Sequence, residues 1–384
     1  MTEWKEYKLG EIAEIIPGFA FKSKDFGQIG EKVVKIKDIE PPYINLTNAD
    51  CVDVSSYDIS KINKYILHKG DYVVAMTGAT IGKVGKLKTD NKAYLNQRVA
   101  RIKAKNGICD DFVYFSIIGN DFQTFIQNNI DSNSAQENIS ANSIGRYPVS
   151  LPPLDTQRRI AAILSSLDDK IDLLHRENAT LEQMAETLFR QWFVVEAKEE
   201  WEEGKLGNIC NYVTEKIDIG NVETGDYIST ENMCSNKQGV VQASSVPGNG
   251  KATKFRIDDV LLSNIRPYFK KIWLADREGG CSADVLCIRS KNELYAFFSY
   301  YTIRQDEFFD YVMLGSKGCK MPRGDKSHIM NWPITIPSKD ELLKFNEIAK
   351  QGITKIRNNN KQIRTLIQMR DGLLPRLMSG EVKL

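Results

Sequence analysis

Residues 144–152 read IGRYPVSLP and residues 329–337 read IMNWPITIP, so the chain contains one nine-residue pattern twice. The strand-rich stretch before each copy opens with a tryptophan and the tripeptide KLG, at Trp4–Gly10 and again at Trp201–Gly207. A long helical pattern follows each copy at once. The repeat therefore predicts two similar globular units, each continued by a long helix and related by a pseudo-two-fold axis.

Composition limits the class of protein. At 384 residues the chain fits two domains with connecting elements, and 42% hydrophobic with 27% charged residues is typical of a globular protein. The chain has no apolar run of about 18 residues, and its N-terminus lacks a signal-peptide pattern. We therefore expect a cytoplasmic protein without a membrane partner. Seven cysteines without a CxxC pair favour reduced thiols, and three widely spaced histidines argue against a histidine-based metal site.

The net charge bears on the ligand. A bipartite chain suits a bipartite ligand, and duplex DNA is the obvious candidate. The formal net charge is only +2, whereas a protein that binds DNA mainly by electrostatics is usually far more basic. If DNA is the ligand, the basic residues must be concentrated on one face, or partner subunits must supply part of the charge.

Both units are predicted to be α+β, with a twisted sheet or partial barrel and peripheral helices. We place the first globular domain at 1–150, a spacer helix at 151–198, the second domain at 199–337 and a second spacer helix at 338–384. Two segments without regular periodicity are predicted to be binding loops, Asn128–Ser143 and Gly315–Ser327. Short apolar runs predict strands at Val33–Ile36, Tyr72–Met76, Ala93–Ile102 and Val285–Ile288, and aromatic-rich stretches predict helices at Asp111–Ile126 and Leu294–Phe309.

The first spacer helix has a regular apolar seam. Asp155 follows Pro152 and Pro153 and is predicted to cap its start. Apolar residues then recur at alternating spacings of four and three, which indicates a coiled coil. Asn178 is the one polar residue on that seam, and a buried asparagine of this kind fixes helix register. The predicted seam comprises Ile160, Leu164, Leu167, Ile171, Leu174, Asn178, Leu181 and Leu188.

The second spacer helix has a less regular seam. It is predicted to begin with a capping box from Ser338 to Glu341 and to end near Leu374-Pro375 and Gly380. Gly352 and Asn359 interrupt its apolar spacing. Antiparallel pairing of the two helices, with a globular unit at each end, is the simplest way to bury both seams. The predicted seam residues of the second helix include Ile356, Ile363, Leu366 and Leu373.

Two motifs suggest catalysis, but neither has the required pattern. Gly78–Val84 (GATIGKV) lacks the four residues between glycines, and the Ser or Thr after lysine, of a phosphate-binding loop. A glycine-rich hairpin loop, or a basic loop on DNA phosphates, fits these residues. Glu40–Tyr43 (EPPY) resembles the Asn/Asp-Pro-Pro-Tyr loop of adenine aminomethyltransferases. Glutamate is a poor substitute there and no FxGxG loop accompanies it, so we interpret the segment as a turn after a strand.

Loops that combine cations, amides and aromatic residues occur in both units. Cations bind phosphates, and Arg, Asn and Gln also hydrogen-bond to base edges. The alternative for each loop is a solvated surface turn. The candidate DNA-binding residues of the first unit are Thr77, Thr80, Lys83, Lys86, Gln97, Arg98, Ser134, Gln136 and Asn138. Those of the second unit are Ser263, Asn264, Arg266, Tyr268, Lys270, Lys271, Lys317, Lys320, Arg323 and Lys326.

Essentially the whole chain resembles the specificity subunits of type I restriction–modification enzymes. Two segments, VVAMTGATIGKVG at 73–85 and VLLSNIRPYFKKIWLA at 260–275, are similar to recurring phrases of that family's target recognition domains. The most diagnostic segments are YPVSLPPLDTQRRIAAILSSLDDKID at 147–172, its diverged copy WPITIPSKDELLKFNEIA at 332–349, and LIQMRDGLLPRLMSGEV at 366–382.

The resemblance implies two target recognition domains that read the two halves of a split, asymmetric DNA sequence, held apart by the helices. It further implies that the helices dock two modification (methyltransferase) subunits, which restriction subunits then join. S-adenosylmethionine would bind the modification subunits, and ATP and Mg the translocating subunits, so this chain would hold no cofactor and catalyse nothing. The start of the second helix, Ser338–Leu343, lacks the Pro-Pro-Leu and Gln-Arg-Arg of the first copy, which puts symmetric docking in question.

Two other classes of function are compatible with the pattern. A coiled-coil scaffold would organise partner proteins without reading sequence. A stand-alone methyltransferase or nuclease is a third interpretation, and a methyl-transfer assay on the isolated chain tests it. A gel shift with partner subunits and random duplex competitors separates the scaffold from the DNA reader, because a scaffold shows no sequence preference.

Overall fold

The computed structural model describes residues 4–130, 137–318 and 320–382. The chain forms two compact units, and each combines sheets with a part of both long helices. The first unit consists of residues 1–172 and 363–384, and the second consists of residues 173–362.

The sheets of the first unit are built from short strands. These strands are β1 (Lys5–Lys8), β2 (Ala13–Pro17), β3 (Phe26–Gly27), β4 (Glu31–Val34), β5 (Ile39–Glu40), β6 (Tyr43–Ile44), β7 (Cys51–Val52), β8 (Ile66–Leu67), β9 (Tyr72–Ala75), β10 (Val84–Lys86), β11 (Ala93–Leu95), β12 (Val99–Ala104) and β13 (Pro148–Leu151). Its short helices are α1 (Leu9–Ile12), α2 (Ile59–Ile62), α3 (Asp110–Ile117), α4 (Asn120–Asn128) and α5 (Ala141–Ile144). One sheet has the order β2-β12-β9-β10-β6-β5, a second has the order β3-β7-β4-β11-β8, and β1 pairs with β13.

Strand β9 lies at the centre of the first unit, and this explains its uninterrupted apolar sequence. Tyr72 and Val74 belong to a core that includes the aromatic residues of α3 and α4. Val73 and Ala75, which point to the opposite face, belong to a second core with residues of β4, β8 and β11. A strand covered on both faces is apolar at every position rather than at alternate ones.

The second unit repeats this plan with fewer strands. Its strands are β14 (Glu202–Lys205), β15 (Cys210–Tyr212), β16 (Lys216–Asp218), β17 (Tyr227–Ile228), β18 (Lys251–Phe255), β19 (Val260–Ser263), β20 (Ile272–Leu274), β21 (Gly279–Cys281), β22 (Val285–Ser290) and β23 (Pro333–Ile336). Its short helices are α7 (Leu206–Ile209), α8 (Ala296–Arg304), α9 (Asp306–Leu314) and α10 (Lys326–Met330). The sheet β15-β22-β19-β20 matches β2-β12-β9-β10 of the first unit, the second sheet has the order β16-β18-β21-β17, and β14 pairs with β23.

The repeated nine-residue pattern forms the same structure in both units. In each copy it runs from a short helix into a strand, and that strand pairs antiparallel with the strand that opens the unit. The N–H of Leu9 donates to the carbonyl of Tyr147 at 2.8 Å, and the N–H of Leu206 donates to the carbonyl of Trp332 at 2.9 Å. The predicted duplication of an α+β unit is therefore confirmed.

Two long helices carry the predicted seams. The first is α6 (Leu154–Arg190), continued by a π-helical turn at Gln191–Val195, and the second is α11 (Lys339–Met378). In the second unit Asn178 hydrogen-bonds to Asn360, and the ring centroids of Phe189 and Phe345 are 5.9 Å apart, so the helices run antiparallel there. In the first unit Arg370 Nη1 lies 3.0 Å from Asp168 Oδ1, and Leu164 shares a core with Leu377.

The predicted seam residues all face inwards. Both helices bury these side chains fully or in part. They are Ile160, Leu164, Leu167, Ile171, Leu174, Asn178, Leu181 and Leu188 on α6, and Ile356, Ile363, Leu366 and Leu373 on α11.

Several predicted boundaries were wrong. Helix α6 begins at Leu154, so Asp155 lies within the first turn rather than capping it. Helix α11, by contrast, starts at the Ser338–Glu341 capping box as predicted, and it passes through Pro375 and ends at Met378, within the range predicted from Pro375 and Gly380. The helix predicted at 111–126 is two helices that separate at Ile118–Gly119, and the one predicted at 294–309 separates at Gln305. The strand predicted at 93–102 is likewise two strands, because the chain turns at 96–98 between β11 and β12.

Candidate nucleic-acid interface

A turn that follows the central strand of the first unit carries several of the candidate residues. This segment, residues 76–83 and here named turn 1, connects β9 to β10 and contains a 3-10 helix at Gly78–Thr80. The N–H of Met76 donates to the carbonyl of Arg98, and the N–H of Gly78 donates to the carbonyl of Glu137. Thr77 also forms an isolated bridge with Asn138. Turn 1, the residue before β12 and the segment before α5 therefore meet at one end of the sheet.

The second unit contains the same arrangement. Turn 2, residues 264–271, connects β19 to β20 and contains a 3-10 helix at Pro267–Phe269. The N–H of Asn264 donates to the carbonyl of Asp284, and the N–H of Arg266 donates to the carbonyl of Pro322. Ile265 forms an isolated bridge with Arg323. These contacts match those of turn 1 atom for atom, so the two turns occupy equivalent places in their units.

The two turns share an unusual backbone with different side chains. Gly78 and Gly82 in turn 1 have φ of 74° and 82°, and the equivalent Arg266 and Lys270 in turn 2 have φ of 50° and 51°. Left-handed backbone costs a residue other than glycine about 1–2 kcal/mol. Turn 2 therefore keeps two long cationic side chains at positions where glycine would be more stable, and such strain is common at functional sites.

The residues next to the turns also differ between the units. Arg98, an exposed cation, stands beside turn 1, whereas the equivalent Asp284 stands beside turn 2. Asn138 bridges turn 1 and Arg323 bridges turn 2, where Arg323 Nη1 lies 3.0 Å from Asp284 Oδ1. The two ends of the sheets are thus alike in backbone and unlike in hydrogen-bonding groups.

Most candidates of the first unit lie at turn 1. Lys83, Gln97, Arg98 and Asn138 are exposed, and Thr77 and Thr80 are half-buried with hydroxyl oxygens that have no hydrogen-bond partner among the described residues. Lys86 lies apart from them, because it pairs with Tyr72 at the opposite end of β9 and its ammonium is 2.5 Å from Asp111 Oδ1. Ser134 and Gln136 lie outside the described residues.

Acidic or carbonyl groups bind most of the candidate DNA-binding cations of the second unit. The ammonium of Lys270 lies 2.8 Å from Asp306 Oδ1, and the ammonium of Lys317 lies 2.9 Å from Asp325 Oδ2. The guanidinium of Arg323 pairs with Asp284. Lys271 donates to the carbonyl of Thr230 at 2.6 Å, and burial lowers the pKa of its ammonium.

The remaining candidates of the second unit divide into exposed and buried groups. Arg266, Tyr268, Lys320 and Lys326 are exposed. Tyr268 lies 4.7 Å from the ring of Phe269, and the ammonium of Lys326 lies 5.8 Å from the ring of Tyr212. Ser263 is buried and donates to the carbonyl of Ile265, while Asn264 has a buried Oδ1 without a partner in the described part of the chain.

Sequence reasoning missed a group of residues that hold turn 2 from behind. Lys237 has φ of 62°, and its N–H donates to the carbonyl of Lys270 at 2.9 Å. Its ammonium lies 3.0 Å from Glu186 on α6 and 2.9 Å from Asp306 on α9. Arg304 on α8 lies 3.3 Å from the same Glu186. No local sequence pattern predicts this network, because its members are far apart along the chain.

Two further observations concern the described residues only. Their histidine, cysteine, aspartate and glutamate side chains form no group of three placed to hold a metal ion. None of their helices combines the length and the apolar character needed to cross a membrane.

Comparison with known proteins shows which family the chain resembles. A family model described as the type I restriction modification DNA specificity domain matches residues 1–183. The MjaIX specificity subunit of a type I restriction enzyme from Methanocaldococcus jannaschii is 24% identical over all of this chain and 97% of its own length. The HindI specificity subunit from Haemophilus influenzae is 27% identical over 50% of this chain and 41% of its own length.

A solved structure agrees with the fold. The crystal structure of the S subunit of a type I restriction–modification system from M. genitalium has a TM-score of 0.55 and 14% identity, over 98% of this chain and 96% of that one. At that identity the likeness concerns the architecture, two sheet-containing domains connected by a long helix. The family-model match and these relatives together make the chain similar to the specificity subunits of type I restriction–modification enzymes, over its full length in the case of the MjaIX subunit.

Proposed function

We propose that this chain is the sequence-specific DNA-recognition subunit of a type I restriction–modification complex. The observation that carries the proposal is the pair of equivalent turns, 76–83 and 264–271, with the same backbone and different side chains. One scaffold that presents two different sets of hydrogen-bonding groups suits a target with two different halves. The target is therefore bipartite and asymmetric.

The roles of individual residues follow from their exposure and pairing. Lys83 at the end of turn 1 and Arg98 beside it are exposed, and their side chains form no ion pair with another described residue, so they contact DNA. Gln97 and Asn138, also exposed, have amides suited to reading adenine. Lys86, neutralised by Asp111 and remote from turn 1, supports the sheet instead.

The long helices supply the other half of the function. A regular seam with one buried amide suits a rigid spacer that sets the separation of the half-sites. The outward-facing sides of α6 and α11 dock two modification subunits, which restriction and translocating subunits join. The chain itself is not an enzyme and carries no cofactor; S-adenosylmethionine, ATP and Mg belong to the partners, and the assembly works in the cytoplasm.

A binding experiment tests the proposal against a scaffold without sequence preference. The chain is mixed with its modification subunits and labelled duplex containing the methylated site, and random duplexes of equal length compete. A DNA-recognition subunit resists competition by random duplex at physiological salt. Equal competition by random and specific duplex would support the scaffold and refute sequence recognition.

A methyl-transfer assay tests the claim that the chain is not an enzyme. The isolated chain is incubated with duplex and labelled S-adenosylmethionine, beside the complete complex. Transfer is expected only with the complex. Transfer by the isolated chain would overturn this part of the proposal.

A further inference from the structure

We propose that Arg266 is the residue that determines specificity in the second unit and that it reads a guanine in one half-site. This inference rests on the proposed function and adds the residue and the base. Arginine makes a bidentate contact with O6 and N7 of guanine in the major groove, which is the commonest specific contact between a side chain and a base.

The backbone of Arg266 is the first observation. Its φ is 50°, and the equivalent residue of turn 1 is Gly78 with φ of 74°. Glycine occupies such a position without strain, whereas arginine does not. The next residue, Pro267, is buried and begins the 3-10 turn, and the N–H of Arg266 is bound to the carbonyl of Pro322. The turn therefore fixes the strained backbone while leaving the side chain outside the packing.

The electrostatic surroundings of Arg266 are the second observation. The side chain is exposed and forms no hydrogen bond or ion pair with another described residue. The neighbouring cations differ: Lys270 is bound to Asp306, and Arg323 to Asp284. Among the described residues of the turn and its bridge, Arg266 is the one guanidinium available to a ligand.

The rigidity of turn 2 is the third observation. The N–H of Asn236 donates to the carbonyl of Phe269, and the N–H of Lys237 donates to the carbonyl of Lys270. Asn236 and Lys237 themselves have left-handed backbone, with φ of 55° and 62°. The Lys237 ammonium then ties this layer to Glu186 and Asp306. A reading group must be held in place to discriminate between bases, and this layer holds the turn that carries Arg266.

The test compares three variants of the chain in complex with its modification subunits. Arg266→Gly removes the guanidinium and relieves the strained backbone. Arg266→Lys keeps the charge but cannot form the bidentate contact. Asp258→Gly is the matched control, because it relaxes another left-handed residue of the second unit that lies outside turn 2 and the layer behind it. Denaturant unfolding first establishes that Arg266→Gly is at least as stable as the wild type.

Binding is then measured on duplexes that carry each of the four base pairs at every position of the specific site. We expect both Arg266 variants to lose discrimination at one G·C position by roughly 5- to 150-fold, and the control to keep it. Discrimination in the other half-site should be unchanged in all variants. The slope of affinity against salt should also stay the same in Arg266→Lys.

Two results would overturn the inference. If Arg266→Gly loses affinity for all duplexes by the same factor, and its slope of log affinity against log salt falls by about one, Arg266 contacts a phosphate and not a base. If Arg266→Gly discriminates as the wild type does, another residue reads that half-site. A wild-type complex without any sequence preference would instead refute the proposed function itself, so the two failures are distinguishable.

Discussion

Asn359 on α11 donates a hydrogen bond from Nδ2 to Oδ1 of Asn178 on α6, at 2.8 Å. Asn178 donates in turn to Oδ1 of Asn360, also at 2.8 Å, and only 1% of Asn359 is exposed. A shift of either helix would leave these amides buried and unpaired, so the cluster favours one register. The residue that interrupts the apolar spacing of the second helix is therefore the partner of the polar residue on the first.

The amide pair can be tested by single and double substitution. Asn359→Leu alone leaves Oδ1 of Asn178 without its donor, and we expect the free energy of unfolding to fall by about 1–3 kcal/mol. Replacing both Asn178 and Asn359 by leucine also removes the unpaired Oδ1 of Asn178, and we expect the double variant to recover only part of that loss, because Asn360 then lacks its donor. Urea unfolding of the wild type, both single variants and the double variant measures this. Losses that simply add in the double variant would show that the two amides are not coupled.

The stability of the second unit should depend on pH through Glu182. Burial raises the pKa of this carboxyl above its ordinary value, and attraction by Arg304 offsets the effect only in part. Because the folded state binds the proton more tightly than the unfolded state, the carboxyl stabilises the fold at low pH. That contribution is lost as the pH rises through the folded pKa.

Glu182→Gln removes this titration. We expect the free energy of unfolding of the variant, relative to the wild type, to increase as the pH is raised from about 4 towards neutrality. Glu203→Gln, at an exposed position of β14, serves as the matched control for the substitution itself. A difference between Glu182→Gln and the wild type that does not change with pH would contradict the assignment.

Lys237 should act as a positioning residue for the second half-site. Lys237→Met removes its ion pairs with Glu186 and Asp306, so turn 2 becomes less rigid. We expect weaker discrimination between bases in the half-site read by the second unit, with the other half-site unaffected. The salt slope should stay constant, since the Lys237 ammonium is already paired with Glu186 and Asp306, and Lys237→Arg should restore discrimination. Lys254→Met, which breaks the ion pair between Lys254 on β18 and Glu215, is the control.

Gly315 is needed for the packing of the segment that leads to the Arg323 bridge. A Cβ atom added to Gly315 would lie 2.1 Å from Cδ2 of His328, whose ring stacks on Tyr311 with centroids 3.9 Å apart. Gly315→Ala should therefore lower the free energy of unfolding by about 1–3 kcal/mol. Gly248→Ala, where no atom lies within 4 Å of the added Cβ, should change it by less than about 0.5 kcal/mol. Equal thermal shifts for the two variants would contradict this.

Sequence alone predicted the parts of the fold that depend on periodicity. The seams of α6 and α11 follow from apolar spacing, and the duplicated unit follows from the repeated pattern. The start of α6 was misplaced because Asp155 has the side chain of a cap, but the helix already begins at Leu154. Helix α11 passes through Pro375 because tertiary packing of Leu377 into the first core outweighs the local preference against proline.

The candidate site was predicted only as a set of loops. Which cations are available to a ligand depends on acidic residues distant in sequence, such as Asp111 for Lys86 and Asp306 for Lys270. The left-handed backbone of Arg266 has no sequence signature either, since glycine is the residue that normally marks such a position. The match between Gly78 and Arg266 became visible only through the identical hydrogen bonds around the two turns.

Sequencing of methylated sites in cells that carry this chain with its modification subunits tests sequence recognition most directly. We predict two different half-sites at a fixed separation for the wild type, and loss of a single G·C requirement in one of them for Arg266→Gly. Methylation confined to palindromic sequences, or scattered without a common motif, would contradict a chain with two different DNA-reading turns.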